Sequence, residues 1–499
     1  MSNKGLPGGH YQPLSRDQVE SLHAAALTVL EKTGFSYETG LDETIAMTEA
    51  FGMQVDREQS RVYFPREKLM ELVSKAPHRV VLYSRDEKND LHLEDDSVYL
   101  GTGGAAIKIL DLETGESRHT TLKDLYDLGR LVDQLDNIHF FLRPCIPKDI
   151  PEALYDENVF YACLKATAKH VMAGVNDVEG LNKMLDIASM VAGNLENLKS
   201  RPFVSVIASF AISPLRLCTH STRIMQEAAR HQIPVALSCA PMAGVTSPIT
   251  MAGTLVQTHA EQLAGIAICQ MTHPGAPVLY GGIPGRANLW NLGYQGGSVE
   301  CGMMNAAIHQ LAKHVKVPNY NSSGLTDAKI PDAQAGWEKA MTTMLAAMGG
   351  SNYVHHAAGM LNCMITVAHE QFVIDDEINI LKMMEMFFED TEIDLATALT
   401  AKAGLQAIQQ DDFDAILCDL SMDDINGLQV GKEVMAYCQK TGKPKIPFLL
   451  YTGLEKELDP KKLSESGIDR VVKKPIPCED LLRLIQEIST PPVQAKRAG

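Results

Sequence analysis

The chain has 499 residues, of which 45% are hydrophobic and 21% are charged, and its formal net charge is −17. This acidic balance excludes the broad basic surface that a nucleic-acid-binding protein needs. The length favours two or three domains over a single core. No run of about 18 apolar residues is present, and the first residues lack the apolar segment of a secretion signal. We therefore expect a cytoplasmic protein that does not bind a membrane.

The ten cysteines are scattered along the chain, without a CxxC pair. Several lie in apolar runs, as Cys418 does, so we expect buried free thiols in a reducing compartment. Cys218 and His220 come nearest to the spacing of zinc ligands, and a structural role is the simpler interpretation of them.

Residues 1–96 are predicted to form a cap of short helices on the domain that follows. Ser15 and Gln18 have the spacing of a capping box, which marks the start of a helix. A second helix is expected after Pro65. Residues 108–121 contain a Thr-Gly turn between two extended runs, which predicts a hairpin.

From about residue 97 the chain alternates short apolar strands, polar or glycine-rich strand ends, and helical stretches. We count eight strands: Val98–Leu100, His139–Leu142, His170–Met172, Phe203–Ile207, Pro234–Leu237, Pro277–Tyr280, Val317–Tyr320 and Asn352–His355. Eight repeats favour a (β/α)8 TIM-type barrel over residues 97–370. A doubly wound open sheet is the alternative, because the period alone does not close a barrel.

In such a barrel the functional groups lie at the C-terminal strand ends, where the loops converge on one mouth. These ends show no paired carboxylates, no GxSxG motif and no phosphate-binding loop. An aromatic, glycine-rich mouth without an evident base is typical of a site that positions a cation. The candidates for catalysis are Glu300, Asp327, Gln334, His355 and His356, and those for binding are Tyr280, Arg286, Trp290 and Tyr320.

Four blocks of this region are distinctive. They are residues 247–261 (SPITMAGTLVQTHAE), 296–300 (GGSVE), 320–342 (YNSSGLTDAKIPDAQAGWEKAMT) and the closing GML and EQFVIDDEI runs. Together they resemble the trimethylamine:corrinoid methyltransferase family, and the resemblance covers roughly residues 10–380. The resemblance implies a (β/α)8 barrel and methyl transfer from a methylated amine to the cobalt of a separate corrinoid protein. We also expect the chain to form a homo-oligomer.

One position departs from the family pattern. The trimethylamine-using branch carries pyrrolysine where Leu325 stands here, and a leucine cannot form an adduct with a tertiary amine. The resemblance therefore implies the branch without pyrrolysine, whose substrates are quaternary amines such as glycine betaine. The cationic head would lie against Tyr280, Trp290 and Tyr320. A carboxylate tail would be held by Arg286, His355 or His356.

The chemistry of a quaternary ammonium fits a mouth without an acid. Its leaving group is already a neutral amine, so attack by Co(I) needs no proton donor, and the protein has to desolvate the cation and align one methyl group. A barrel that binds a methylated amine as a sensor, without turnover, is the alternative.

From Gln371 onward a second pattern of strand and helix repeats five times, which predicts a flavodoxin-like doubly wound domain over residues 371–490 and a tail over 491–499. The predicted strands are Phe372–Ile374, Ile393–Thr397, Ala415–Cys418, Ile446–Tyr451 and Arg470–Val472. In the strand order 2-1-3-4-5 the ligand site lies at the carboxyl ends of strands one and three. The residues at the strand ends are Asp375, Asp376, Asp419, Thr452 and Lys474.

These positions resemble a response-regulator receiver domain with a CheY-like fold. The resemblance implies that Asp419 accepts a phosphoryl group from a histidine kinase, and that Thr452 and Lys474 bind the phosphoryl oxygens. It also implies a Mg²⁺ ion held by Asp375, Asp376 and Asp419. Asp423 and Val471 depart from the receiver pattern, at a usual proline and at the switch aromatic.

The run VIDDEI, residues 373–378, fits both patterns. Members of the barrel family have a similar run in a C-terminal helical region, whereas receivers have it as their first strand. We predict the strand, because a receiver sheet without its central strand would expose unpaired backbone groups. A helix of the barrel domain is the alternative.

Overall fold

Eight parallel strands form a closed barrel in the computed structural model of the chain. They are β1 Ser97–Thr102, β2 Phe140–Leu142, β3 His170–Ala173, β4 Val204–Ala208, β5 Val235–Leu237, β6 Val278–Gly282, β7 Asn319–Ser322 and β8 Tyr353–Ala358. Strand β8 pairs in parallel with β1, with Tyr353 beside Tyr99, and this pairing closes the ring. The predicted barrel is confirmed, and the open sheet is excluded.

The structure describes residues 5–377, 396, 398, 400–420, 425–452, 459–473 and 478–489. The chain divides into two units, Met1–Lys382 and Met383–Gly499. The first unit holds the barrel and its cap, and the second holds a smaller parallel sheet.

The cap consists of three helices, α1 Arg16–Lys32, α2 Asp42–Ala50 and α3 Arg66–Val73, and short strands. Helix α1 begins after Ser15, whose side chain accepts a hydrogen bond from the backbone of Gln18 while the Gln18 side chain accepts one in return. The predicted capping box is therefore confirmed. The cap strands are Leu6–Pro7, Phe35–Tyr37, Gln54–Asp56, Arg61–Tyr63, Val80–Leu82 and Leu91–Leu93.

Helices surround the barrel in chain order. They are α4 Leu122–Gln134, α5 Tyr155–Ala166, α6 Val178–Ala192, α7 Leu195–Ser200, α8 Thr219–Arg230, α9 Met251–Thr272, α10 Val299–His314 and α11 Ala333–Gly349. Helix α9 is buried on nearly all sides, because α1 and α3 of the cap cover the face that points away from the strands. The predicted hairpin is also present, with Lys108–Leu110 antiparallel to Ser117–His119.

The interior of the barrel is filled by large side chains from alternate strand positions. This inner cluster contains Tyr99, Phe140, Leu142, Met172, Ala236, Leu279, Tyr320 and Tyr353. Phe140 and Tyr353 stack with ring centroids 3.6 Å apart. The barrel is therefore a packed core, and its chemistry is confined to the end where the strands stop.

Residues 369–377 are helical and belong to the barrel unit. The prediction of a receiver strand over Phe372–Ile374 is wrong, because these residues are helical. The first unit extends to Lys382. Phe372 is buried against Gly359, where an added Cβ would lie 2.1 Å from the ring. Because residues three apart share one helix face, Asp375 is directed to the same part of the barrel as Phe372.

The second unit contains three described parallel strands, β9 Ile416–Asp419, β10 Phe448–Thr452 and β11 Arg470–Lys473, in that order. They match the predicted third, fourth and fifth strands. The helices among the described residues of this unit are α12 Ala401–Gln410, α13 Gly427–Thr441, α14 Pro460–Glu465 and α15 Cys478–Ser489. The predicted strand Ile393–Thr397 falls almost entirely outside the described residues, and Asp423 and Lys474 do so as well.

The sequence also led us to expect free thiols and no membrane-spanning segment. The nine cysteines from Cys145 to Cys438 are free thiols. Across the same described ranges, every helix is too short or too polar to cross a membrane.

Candidate active site

Two histidines at the end of β8 and two side chains of β7 come together inside the barrel, near its C-terminal end. The His355 ring meets the Tyr320 ring edge-on, with centroids 5.2 Å apart. The His356 ring lies 4.1 Å from that of His355, and its Nδ1 is hydrogen-bonded to Ser322 Oγ at 2.7 Å. We call His355, His356, Tyr320 and Ser322 the histidine cluster.

An irregular backbone places both histidines in the interior. Successive residues of a regular strand face opposite sides, but the pairing of β8 with β1 shifts between Val354 and Ala358. Within this shift His356 has a φ of 69°, a left-handed conformation that costs a non-glycine residue about 1–3 kcal/mol. Such strain is found where the surrounding structure holds a functional group in place.

Two glycines that follow β1, the strand paired with β8, lie against the histidine cluster. A Cβ on Gly103 would lie 3.0 Å from His355 Nδ1, and a Cβ on Gly104 would lie 3.0 Å from His356 Nε2. A larger residue at either position would press on the rings. The close approach of this backbone explains the glycine pair that follows the first strand.

The two histidines are uncharged and incompletely hydrogen-bonded. Burial lowers the pKa of His355 to about 3, and burial together with His355 and Lys339 lowers the pKa of His356 well below its ordinary value. Three ring nitrogens lack a hydrogen-bond partner within the described part of the chain: Nδ1 and Nε2 of His355, and Nε2 of His356. A neutral imidazole carries one N–H donor and one acceptor, so the cluster offers polar groups to a ligand.

The loop after β7 carries Leu325, which is buried and packs against Gly296. Behind it, the buried Lys339 of α11 donates a hydrogen bond to the carbonyl of Gly324. Lys339 Nζ also lies 3.2 Å from Asp375 Oδ2. The backbone carbonyl that precedes Leu325 is therefore held by a lysine of a buried ion pair.

Burial acts on both members of that pair. Burial lowers the pKa of Lys339, and the charge of Asp375 opposes this shift. Burial likewise raises the pKa of Asp375, and Lys339 with two further hydrogen-bond donors opposes it. Desolvation of each charge is thus partly offset by the other, as expected for a buried pair.

Asp327 and Gln334, two predicted catalytic residues, are held by Glu338. Glu338 Oε2 accepts hydrogen bonds from Thr326 Oγ1 at 2.7 Å and from the backbone N–H of Asp327 at 2.8 Å. Its Oε1 accepts one from Gln334 Nε2 at 2.8 Å. Glu338 was not predicted from the sequence, because a single glutamate on a helix carries no signal of such a loop contact. These acids and amides shape the loop after β7.

Tyr280 points away from the mouth, which corrects its predicted place in a cation cage. Its hydroxyl is hydrogen-bonded to His259 Nδ1 at 2.7 Å, and His259 Nε2 lies 2.8 Å from Nδ1 of His23 in the cap. Because Leu279 faces the barrel interior, the next residue of the strand faces the helices. The ring of Tyr280 thus belongs to the contact between barrel and cap.

Trp290 and Arg286 lie between β6 and α10, and Glu300 lies in the first turn of α10. Trp290 is 98% exposed, and Arg286 Nη1 donates a hydrogen bond to Glu300 Oε1 at 2.7 Å. Of the three predicted aromatic residues, only Tyr320 lies inside the barrel. The predicted cage of three rings is therefore not assembled in this structure.

The loops after β5, β6 and β7 and the start of α11 expose apolar side chains at the mouth end of the barrel. We call these side chains the apolar rim: Ile249, Leu289, Trp290, Leu292, Ile330 and Trp337. Exposed apolar groups concentrated at one face of a protein commonly mark a surface that binds a partner.

In the second unit, Asp419 and Thr452 lie at the same edge of the sheet, as predicted. Asp419 ends β9 opposite Tyr451, and Thr452 ends β10 opposite Lys473. Both side chains take part in interactions within the structure. Lys474, the next residue after β11, is outside the described residues.

The predicted Mg²⁺ ligands Asp375 and Asp376 are engaged within the barrel unit. Asp375 Oδ2 accepts a hydrogen bond from the Gly359 N–H at 2.7 Å. Asp376 Oδ1 accepts one from the Asn137 N–H at 3.0 Å, and burial raises the pKa of Asp376 to about 6. Over the ranges that the structure describes, no three His, Cys, Asp or Glu side chains are grouped so as to hold a metal ion. Asp375 and Asp376 thus take part in hydrogen bonds within the barrel unit.

Comparisons with known proteins match two families to the chain. The trimethylamine methyltransferase (MTTB) family matches residues 5–412, and the response regulator receiver domain matches residues 372–486. The two matches overlap from residue 372, where the structure has the barrel helix. Among solved structures, a Vibrio cholerae chemotaxis protein, CheY4, aligns with 22% of this chain and 90% of its own, with 24% identity and a TM-score of 0.20.

Curated relatives cover most of the first unit. Trimethylamine methyltransferase MttB of Desulfitobacterium hafniense is 35% identical over 364 residues, which are 73% of each chain. Glycine betaine methyltransferase of the same species is 32% identical over 370 residues, 74% of this chain and 76% of that relative. The chain therefore belongs to the trimethylamine methyltransferase (MTTB) family and carries a C-terminal response regulator receiver domain.

Proposed function

We propose that the barrel transfers a methyl group from a quaternary amine of the glycine betaine class to a Co(I) corrinoid on a partner protein. The observation that carries this proposal is the histidine cluster: two neutral, buried imidazoles with three ring nitrogens that lack partners among the described residues. The relatives named trimethylamine methyltransferase and glycine betaine methyltransferase support the reaction type.

A carboxylate is the group that best complements the histidine cluster. The ring N–H of His355 would donate to a carboxylate oxygen, and a nearby anion would favour a protonated imidazole. Trimethylamine has no such oxygen, so it would leave the buried donor unpaired, at a cost of about 1–3 kcal/mol. The cluster is therefore expected to select a betaine over a simple tertiary amine.

Leu325 supports the same choice of substrate. Its side chain is buried against Gly296 and is a saturated hydrocarbon, without an electrophilic atom that the lone pair of a tertiary amine could attack. A quaternary ammonium needs no such activation, since it leaves as a neutral amine. The residues of this chain then have to bind the substrate, exclude water and align one methyl group.

The corrinoid would be brought by another protein. When bound, a Co(I) corrinoid supplies the nucleophile that accepts the methyl group. The apolar rim at the mouth end suits a docking partner better than solvent, because exposed groups such as Trp290 and Trp337 gain from burial. Loss of methyl transfer to the corrinoid protein but not to free cobalamin in Trp337→Asp would support this role.

The receiver domain is proposed as a regulatory module. Asp419 is its phosphoacceptor for a phosphohistidine donor, and Thr452 at the same sheet edge would contact the phosphoryl group. The receiver also motivates a second candidate function, in which the barrel binds the amine only as a signal.

The decisive experiment mixes the protein with Co(I) cobalamin and single amines, and follows the absorbance of methyl-cobalt. We expect glycine betaine or a related betaine to support methylation and trimethylamine to fail. Activity on trimethylamine alone would overturn the proposed substrate class. Calorimetric binding of a betaine without any methyl transfer would favour the sensor.

A further inference from the structure

The acidic pair of the VIDDEI run has a second candidate role, in the barrel instead of the receiver. Lys339 and Asp375 are 1% and 2% exposed, and their network is complete. The ammonium of Lys339 reaches three acceptors: the carbonyls of Gly324 and Met360 and the carboxylate of Asp375. The carboxylate in turn accepts hydrogen bonds from Gly359 N–H and Gln371 Nε2.

This network fixes the backbone on both sides of the histidine cluster. Gly324 lies two residues after Ser322, the last residue of β7, and Gly359 and Met360 follow the end of β8, three and four residues after His356. The two segments also touch, because a Cβ on Gly324 would lie 2.8 Å from the carbonyl oxygen of His356. Any shift of the pair would therefore displace the histidine cluster and the Leu325 loop together.

The same carboxylate cannot serve the receiver without being removed from this network. Removing one partner of a buried ion pair is strongly destabilising, because the other charge is left buried and uncompensated. The two family patterns overlap over residues 372–412, and in the structure the packing of the barrel decides the conformation of residues 372–377.

We propose that Lys339 and Asp375 are positioning residues of the methyl-transfer site, and that the VIDDEI acids serve the barrel and not the metal of the receiver. The first part rests on the proposed function, and the second part does not. The pair touches neither substrate nor cobalt; it acts through the backbone that carries the histidine cluster.

The test compares Asp375→Asn with the neighbouring Asp376→Asn as a matched control. We expect Asp375→Asn to lower kcat/KM for glycine betaine at least tenfold and to shift the ¹⁵N imidazole signals of His355 and His356. Asp376→Asn should change kcat/KM less than threefold and leave those signals in place. The imidazole signals report the positioning role even if no betaine is turned over. Failure of the proposed function can therefore be distinguished from failure of the positioning role.

A receiver readout completes the test. Intact-mass spectrometry after incubation with acetyl phosphate and Mg²⁺ should give the same result at Asp419 in the parent and in both variants. Loss of a phosphoryl adduct in Asp375→Asn, with parent-like imidazole signals, would overturn the proposal.

A double variant guards against misfolding. Lys339→Met with Asp375→Leu removes both charges and leaves none unpaired, so we expect it to fold even where Asp375→Asn does not. It should still show displaced imidazole signals and slow methyl transfer. Parent-like signals and turnover in the double variant would mean that the pair has no positioning role, which contradicts the proposal.

Discussion

The barrel and the receiver place their functional groups by the same topological rule, at the carboxyl ends of parallel strands. In the barrel the rule is reinforced by packing: the ring is closed, and a buried ion pair ties together the backbone after β7 and β8. In the receiver the rule brings Asp419 and Thr452 to one edge, while the two acids expected beside them lie in the barrel unit. Topology therefore predicts where a site lies, but packing decides which residues belong to it.

The largest expected effect concerns the receiver. Asp419→Asn should abolish the phosphoryl adduct formed with acetyl phosphate, because the amide is not a nucleophile toward phosphorus. Methyl transfer by the barrel without a phosphodonor should be unchanged. Intact-mass spectrometry measures the adduct, and its survival in the variant would show that another residue is modified.

The next largest expected effect is a loss of stability of the barrel unit at acid pH. His170, inside the barrel unit, is fully buried and hydrogen-bonded through both ring nitrogens to the Tyr83 carbonyl and Ser205 Oγ. Burial lowers its pKa from 6.5 to about 4. Its contribution to stability is therefore complete above pH 6.5 and is lost as the pH falls through 4, amounting to about 3 kcal/mol.

Urea unfolding of the parent and His170→Gln at pH 7, 5 and 4 measures this contribution. The free energy of unfolding should fall more steeply in the parent, since the glutamine cannot titrate. Equal pH dependence in both proteins would mean that other groups account for the acid sensitivity of the barrel.

The next expected effect is on the affinity for glycine betaine, through the histidine cluster. His355→Ala removes the unpaired ring N–H and should weaken binding of glycine betaine by about 1–3 kcal/mol. His355→Gln keeps a donor and is the matched control, with a smaller expected loss. Isothermal titration calorimetry gives both affinities, and parent-like binding of His355→Ala would place the carboxylate site elsewhere.

The smallest expected effect is on substrate affinity, and it contrasts a tyrosine that faces the barrel interior with one that faces the helices. Tyr320→Ala should weaken binding of the cation by about 0.5–2 kcal/mol, because its ring lies in the interior. Tyr280→Phe removes only a hydroxyl that contacts His259 and should leave the affinity unchanged. A larger loss in Tyr280→Phe than in Tyr320→Ala would reverse the assignment of the two tyrosines.

The sequence predicted the eight barrel strands because their apolar runs and polar ends recur regularly. It did not predict which residues face inward, because both faces of a parallel strand are buried and Leu279 and Tyr280 are both apolar. The VIDDEI run was assigned to the wrong element for a related reason. A short apolar run fits either a helix or a strand, and the deciding partner, Lys339, lies far away in the chain.

The inward turn of His356 could not be predicted either. Two adjacent histidines in a regular strand would face opposite sides, and only the shifted pairing with β1 brings both into the mouth. The candidate residues His355 and His356 were correctly placed at the end of the last strand, whereas their shared environment depends on contacts with β1 and β7.

The central claim is that this barrel demethylates a quaternary amine, and product analysis tests it most directly. Glycine betaine with ¹³C-labelled methyl groups, incubated with the protein and Co(I) cobalamin, should yield equal amounts of N,N-dimethylglycine and labelled methylcobalamin by NMR. Betaine that binds but is recovered unchanged, with no label on cobalt, would contradict the claim.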